Sequence, residues 1–231
     1  EATMAPEETM EAEATKAHEA TEAPEATEVV QEPEEEKIMV VCMAQEPTSL
    51  IWQQSALVTS AVWEAITPPL LDTNQYGYQA TLLEKLPSIE DGDATVEEVT
   101  VSEGDRIYDV ASDAVLTLTA GMTETFALNQ VEGDPVEVEG YNGEDLTTVQ
   151  QTATFTLIDS LKWTDGSPVT SDDQVFAFEI AQDPADTPSK YVVERTQSYE
   201  ATDDYTTVWT GLPGYTDGTY FANVWKPLPR Y

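Results

Sequence analysis

Threonine alternates with apolar residues from Thr152 to Leu157, so that Ala153, Phe155 and Leu157 fall on one side and Thr152, Thr154 and Thr156 on the other. A period of two marks a strand with one face toward a core. Asp165-Gly166 then supplies a left-handed turn, which glycine enters without a side-chain penalty. Pro168 stiffens the exit. Thr170 and Asp173 have the spacing of a helix N-terminal box, and Val175, Phe176, Phe178 and Ile180 form a helical apolar stripe closed by Asp183-Pro184. The predicted unit is a strand, a turn and a capped helix, and the rest of the chain is arranged around it.

Upstream, Ile38 to Ala44 is an unbroken apolar run, which predicts a strand buried on both faces with Cys42 as a small buried hydrophobe. Leu57, Val58, Ala61, Val62, Ala65 and Ile66 predict an amphipathic helix ended by Pro68-Pro69. Residues 95–150 read as short strands: Val96, Val99 and Val101, then Val115 to Thr119, then Val136 and Val138, separated by glycines at 104, 121, 133, 140 and 143.

Composition narrows the partners. The 231 residues hold nine Lys plus Arg against 45 Asp plus Glu, a formal charge of -36. Such a surface repels nucleic acid and anionic membranes and suits a salty or cation-rich medium. The single cysteine excludes an internal disulfide and multi-cysteine metal sites. No stretch approaches the roughly 20 apolar residues of a membrane helix, so direct membrane insertion is not expected. No leader pattern is present either, and the expectation is of a mature or processed form.

Residues 1–37 form a separate acidic region built from Glu, Ala, Thr and Pro, with Glu-Ala-Thr recurring at 13–15, 19–21 and 25–27. It buries too little apolar surface to offset its ordering entropy, so a solvated tail or linker is expected. Residues 38–231 make up the folded part.

The string Leu161-Lys162-Trp163-Thr164-Asp165-Gly166-Ser167-Pro168-Val169-Thr170-Ser171-Asp172-Asp173, followed by Val175-Phe176, resembles the signature of the large extracellular solute-binding proteins that serve peptide, oligopeptide and nickel ABC importers. Gln45-Glu46-Pro47-Thr48-Ser49-Leu50, Trp63-Glu64-Ala65-Ile66, Leu82-Leu83-Glu84, Asp203-Asp204-Tyr205-Thr206 and Pro227-Leu228-Pro229 are similar to further elements of that family. At Ile51-Trp52 the chain departs from the Asp-Pro pair common there. The resemblance implies a mixed α+β or α/β fold of the periplasmic-binding-protein type (type II, large peptide-binder class). Residues 95–150 would be a β-rich insertion, and the chain would supply the N-terminal part of one lobe. It also implies ligand-path positions at Thr48, Ser49, Leu50, Ala56 and Val58, with Tyr191 as a cleft tyrosine, and a core-anchor role for Trp163.

Catalytic chemistry finds little support in the residues. His18, the sole histidine, sits in the tail, so Ser-His-Asp, Cys-His and zinc arrangements are not formed. Phosphate-binding glycine loops are missing. The carboxylate pairs Asp172/Asp173, Asp203/Asp204 and Glu97/Glu98 are sequence neighbours that point to different faces and suit capping or solvation. Asp91-Gly92-Asp93 and Asp217-Gly218 read as turns rather than calcium loops. The expectation is a non-enzyme without cofactor.

Two functions fit the sequence. One is the receptor component of an ABC importer, capturing a peptide or similar small solute outside the cell, either extracellular or periplasmic, with a tether to the outer face of the cytoplasmic membrane. Its partners would be an ABC permease and a second chain or missing C-terminal half. The other is a truncated binding-protein fold reused as a structural subunit of a cell-surface assembly.

Overall fold

The computed structural model describes residues 40, 42, 43, 45–47, 57–185 and 189–230. The chain separates into a unit Glu1–Cys42 and a unit Met43–Tyr231. In the first, Val40 is 80% exposed and Cys42 is exposed. Together with Met43, which is also exposed, they lie outside any strand, against the expectation of a doubly buried strand with a buried thiol. Ile38, Met39, Val41 and Ala44 of that run lie outside the described residues.

The second unit runs α1 (Leu57–Ile66), β1 (Leu71–Asn74), β2 (Gly77–Ala80), β3 (Ala94–Val101), β4 (Arg106–Asp109), β5 (Ala114–Thr117), β6 (Met122–Leu128), β7 (Val136–Tyr141), β8 (Leu146–Thr156), α2 (Ser171–Gln182), α3 (Tyr191–Glu194), β9 (Thr196–Ala201) and β10 (Thr206–Gly211). Every pairing between these strands is antiparallel. The described fold is therefore mixed α+β, with a sheet-rich partial domain.

The main sheet has the order β3-β8-β10-β9, which places the threonine-alternating strand β8 in its interior. Ala153, Phe155 and Leu157 are all fully buried, as the alternation predicts. Across the sheet, Ala94, Ala153, Trp209 and Tyr199 stand in one row, so two small residues make room for two large rings. Trp209 is fully buried, and its indole N–H donates to Thr196 Oγ1 at 2.8 Å. Burying a ring of this kind contributes roughly 2–3 kcal/mol, provided its polar atom finds a partner.

The hairpin after β8 forms as predicted. Trp163 N–H donates to Ser167 O at 2.8 Å, Gly166 N–H donates to Trp163 O at 2.9 Å, and Gly166 has φ +91°. α2 follows at Ser171 and ends at Gln182, before Asp183-Pro184. Its buried face differs from the expected stripe: Ser171, Gln174, Ala177 and Phe178 point inward, while Val175, Phe176 and Ile180 are not fully buried. Gln174 is fully buried because its amide N–H donates to Trp225 O at 3.2 Å and its carbonyl accepts from Thr207 Oγ1 at 3.4 Å. A satisfied polar side chain can occupy a core position that hydrophobic periodicity assigns to an aliphatic one. Phe178, Tyr199 and Trp225 close that side with ring centroids 4.5 to 5.5 Å apart.

Residues 95–150 form the expected short strands, and β4–β5 and β6–β7 make two separate hairpin sheets. A second core of Val101, Ile107, Leu118, Phe126, Leu128 and Tyr141 holds them. Val136 is 51% exposed, so the inward position of β7 passes to Val138.

α1 keeps its predicted span, but its predicted face does not reach the core. Leu57 is 86% exposed, Ile66 is 67% exposed, and Thr59 is the buried residue of this helix. Periodicity identifies an apolar stripe without identifying what covers it.

Candidate functional site

Tyr191 opens α3 and is 46% exposed. Its ring lies under the Arg195 guanidinium, with the central carbon 3.6 Å from the ring centroid. The short helix sets this geometry, because residues four apart share one face, and Arg195 Nη1 donates to Tyr191 O at 3.0 Å. Arg195 Nη2 donates at 2.8 Å to both the backbone O and Oδ1 of Asp113, which sits at the β4–β5 turn with φ +55°. The hydroxyls of Tyr108 and Tyr191 also donate to Asp113 Oδ1, at 2.8 and 3.3 Å. Tyr108 packs edge-on to Tyr215 at 5.1 Å.

The electrostatics follow from these contacts. The Tyr108 hydroxyl and then the Arg195 guanidinium hold Asp113 below the usual carboxylate range. Burial, reinforced by the adjacent carboxylate, pushes Tyr108 up to about 12. Burial works against the Arg195 charge, but Asp113 outweighs it and the guanidinium pKa is raised. The cluster fastens the β4–β5 hairpin to α3. It engages the Tyr191 ring through Arg195 and its hydroxyl through Asp113, and the residue stays 46% exposed.

A second feature lies where α1 meets the segment after β10. Trp63, Leu161, Trp163, Lys226, Pro227 and Pro229 belong to the lining of a groove of about 220 Å³. An adjoining hollow of about 360 Å³ shares Trp63, Thr67 and Lys226 with it. Thr67 closes the helix end, with its N–H and hydroxyl donating to Trp63 O at 2.8 and 2.9 Å. Lys226 Nζ donates to Thr67 Oγ1 at 2.6 Å and sits 5.9 Å from the Trp63 ring centroid. Burial lowers the pKa of this ammonium. Trp163 is half-buried and packs against the main core, consistent with an anchor role, and it also lines the groove.

Of the positions expected along the ligand path, Tyr191 and Val58 are described, and Thr48, Ser49, Leu50 and Ala56 lie outside the described residues. Val58 is half-buried on α1, and no described ring contact or hydrogen bond joins it to Tyr191. Sequence reasoning did not single out Arg195, Asp113 or Lys226. No local spacing could link Arg195 to Asp113, 82 positions apart, or Lys226 to Thr67, 159 apart.

Among the described residues, no group of three or more His, Cys, Asp or Glu could hold a metal ion. His18 lies outside them. One acid of each of two pairs serves a cap or turn, Asp173 accepting from Thr170 N–H at 3.0 Å and Asp203 from Tyr205 N–H at 2.9 Å, and at the Asp217-Gly218 turn Asp217 accepts from Thr219 N–H at 2.7 Å. Lys85 pairs with Asp93 at 2.6 Å and Asp91 at 3.4 Å.

Residues 142–226 match the family described as bacterial extracellular solute-binding proteins, family 5 Middle. No curated protein sequence matches the chain. Among solved structures, an oligopeptide-binding protein from Thermus thermophilus, complexed with a pentapeptide, is similar at 16% identity with a TM-score of 0.43, over 77% of this chain and 21% of that one. The chain thus spans about a fifth of the length of that protein. The matched stretch holds β8, the Trp163 hairpin, α2, α3 and the β9–β10 pair. The similarity to the family 5 bacterial extracellular solute-binding proteins thus covers residues 142–226, 85 of the 231 residues.

Proposed function

We propose that this chain is the front portion of the receptor component of an ABC importer, capturing peptides or a similar small solute outside the cell. The observation that carries the reading is the family match over residues 142–226, which supports a solute-binding, non-enzymatic role. A receptor of this kind holds its solute with a few placed polar groups and aromatic surface, without transforming it. Tyr191 offers aromatic surface at a half-exposed position, and Thr48, Ser49, Leu50, Ala56 and Val58 extend the ligand path in this reading. The acidic residues 1–37 act as a spacer that holds the fold off a membrane, and an ABC permease and the remainder of a two-lobed binder complete the system.

The test is titration calorimetry of the full-length native protein against a library of short peptides. Saturable heat with a subset is expected, and the absence of heat across the library overturns peptide capture. Reuse as a structural subunit is a second reading, favoured by the exposure of Leu57 and Ile66 on α1. Light scattering that shows a defined assembly, together with silent calorimetry, would select it.

A further inference from the structure

The seven basic residues within 57–230 are not distributed like the acids. Lys85, Arg195 and Arg230 each pair with a carboxylate. Arg106 donates to Glu194 O, and Lys190 donates to the carbonyls of Ala181 and Asp183 at the end of α2. The two lysines left, Lys162 and Lys226, line the same 220 Å³ groove. Lys162 is exposed, and neither lysine is paired with a carboxylate among the described residues. In a chain of formal charge -36, this groove is lined by two lysines and no acid, while Glu64 lines the adjoining hollow that shares Lys226, so the groove offers cations to an anionic group.

The walls give the other half of the chemistry. Two indoles, Trp63 and Trp163, stand with Leu161, Pro227 and Pro229 around the hollow, which is therefore mainly apolar. Its floor is well fixed: Trp163 is tied to Asp173 at 3.0 Å, and Lys226 is tied to Thr67 at 2.6 Å. The volume is below the roughly 300–1,000 Å³ of pockets that enclose drug-sized ligands, and suits one apolar group with its charge at the rim.

We infer that the groove between Trp63 and Trp163 is a subsite for an apolar carboxylate, the hydrophobic C-terminal residue of a short peptide, with Lys226 and Lys162 anchoring the carboxylate. The inference rests on the solute-binding reading and names the end of the solute that this portion of the chain grips. Lys226, half-buried and facing the Thr67 hydroxyl and the Trp63 ring, gains a counter-charge when the carboxylate arrives. A charge-assisted bond to a half-buried ammonium beside an apolar wall is stronger than one at an open surface. Free aliphatic carboxylates share this chemistry, so they form a second arm of the test.

The experiment is calorimetry of the full-length chain with Leu-Leu and Ala-Leu-Leu as free acids, with their C-terminal amides, and with hexanoate. Free acids are expected to bind about tenfold or more tightly than the amides. Lys226→Gln and the exposed Lys162→Gln should each remove much of that difference while leaving amide binding in place. Circular dichroism shows whether each variant is folded, and Lys162→Gln keeps the test decisive if Lys226→Gln is not. Hexanoate binding as tightly as the peptides overturns the peptide assignment in favour of a free fatty carboxylate. Peptides that bind with no preference for the acid over the amide overturn the subsite while leaving solute capture intact. Silence with every ligand overturns both.

Discussion

The indole N–H of Trp163 donates to Asp173 Oδ2 at 3.0 Å, and the same oxygen accepts the Thr170 N–H at 3.0 Å. One carboxylate therefore caps α2 and pins the preceding hairpin to it. This explains how a tryptophan on a tight turn can be half-buried yet fixed. Acid at the third helical position also sits favourably against the positive end of the helix dipole.

The first prediction concerns that link. Asp173→Ala leaves two donors without their acceptor and should cost about 2 kcal/mol of unfolding free energy. Trp163→Phe, which keeps most of the ring, should cost about 1 kcal/mol. In a double-mutant cycle read by urea denaturation, coupling of about 1 kcal/mol is expected. Additive losses would mean that the bond contributes nothing.

Asp113 carries the second. Its carboxyl is held below the usual 3.8, so the stability it contributes is complete above 3.8 and lost as pH falls through its lower folded value. Asp109, Asp165 and Asp203 are depressed as well, so the whole protein should weaken in acid. Asp113→Asn tolerates the left-handed backbone and should flatten part of that loss. Melting temperatures of both proteins from neutral pH down through the carboxylate range would decide, and parallel curves would show that the Arg195–Asp113 contact is not linked to proton binding.

Two glycines with similar φ make the third. Gly214 has φ +88°, and a Cβ there would stand 2.6 Å from Tyr108 O; Gly166 has φ +91° and open space around it. Gly166→Ala should therefore cost about 1–2 kcal/mol from backbone strain alone. Gly214→Ala should cost more, because the strand-end backbone at Tyr108 must also move. Equal losses in chemical denaturation would contradict the close approach.

Net charge supplies the fourth. With 45 acidic and nine basic residues, self-repulsion opposes the compact state, and salt screens it. Raising monovalent salt from about 0.1 to about 1 M, which shortens the screening length from roughly 10 to 3 Å, should raise the melting temperature by several degrees. A flat or falling curve would show that repulsion does not limit this fold.

The legible parts of the chain were those whose causes are local. Ala153, Phe155 and Leu157 face one way because a strand repeats every two residues, and their burial follows once any core forms. The turn at Gly166 and the bounds of α2 also follow from neighbours in sequence. Cys42, Leu57 and Ile66 were misjudged for a common reason. Hydrophobicity says that a residue gains by burial, but only a partner surface buries it.

By itself, then, the sequence determined the strand–turn–helix unit and the charge that opposes compaction, since each depends on residue identity or near spacing. Tertiary structure alone decided that Gln174 is an interior residue, that Arg195 clamps Tyr191 to Asp113, and that Lys226 meets Thr67 beside Trp63. Those contacts join positions many tens of residues apart. Their partners are chosen by how the sheet and its covering segments pack, and no local pattern records that choice.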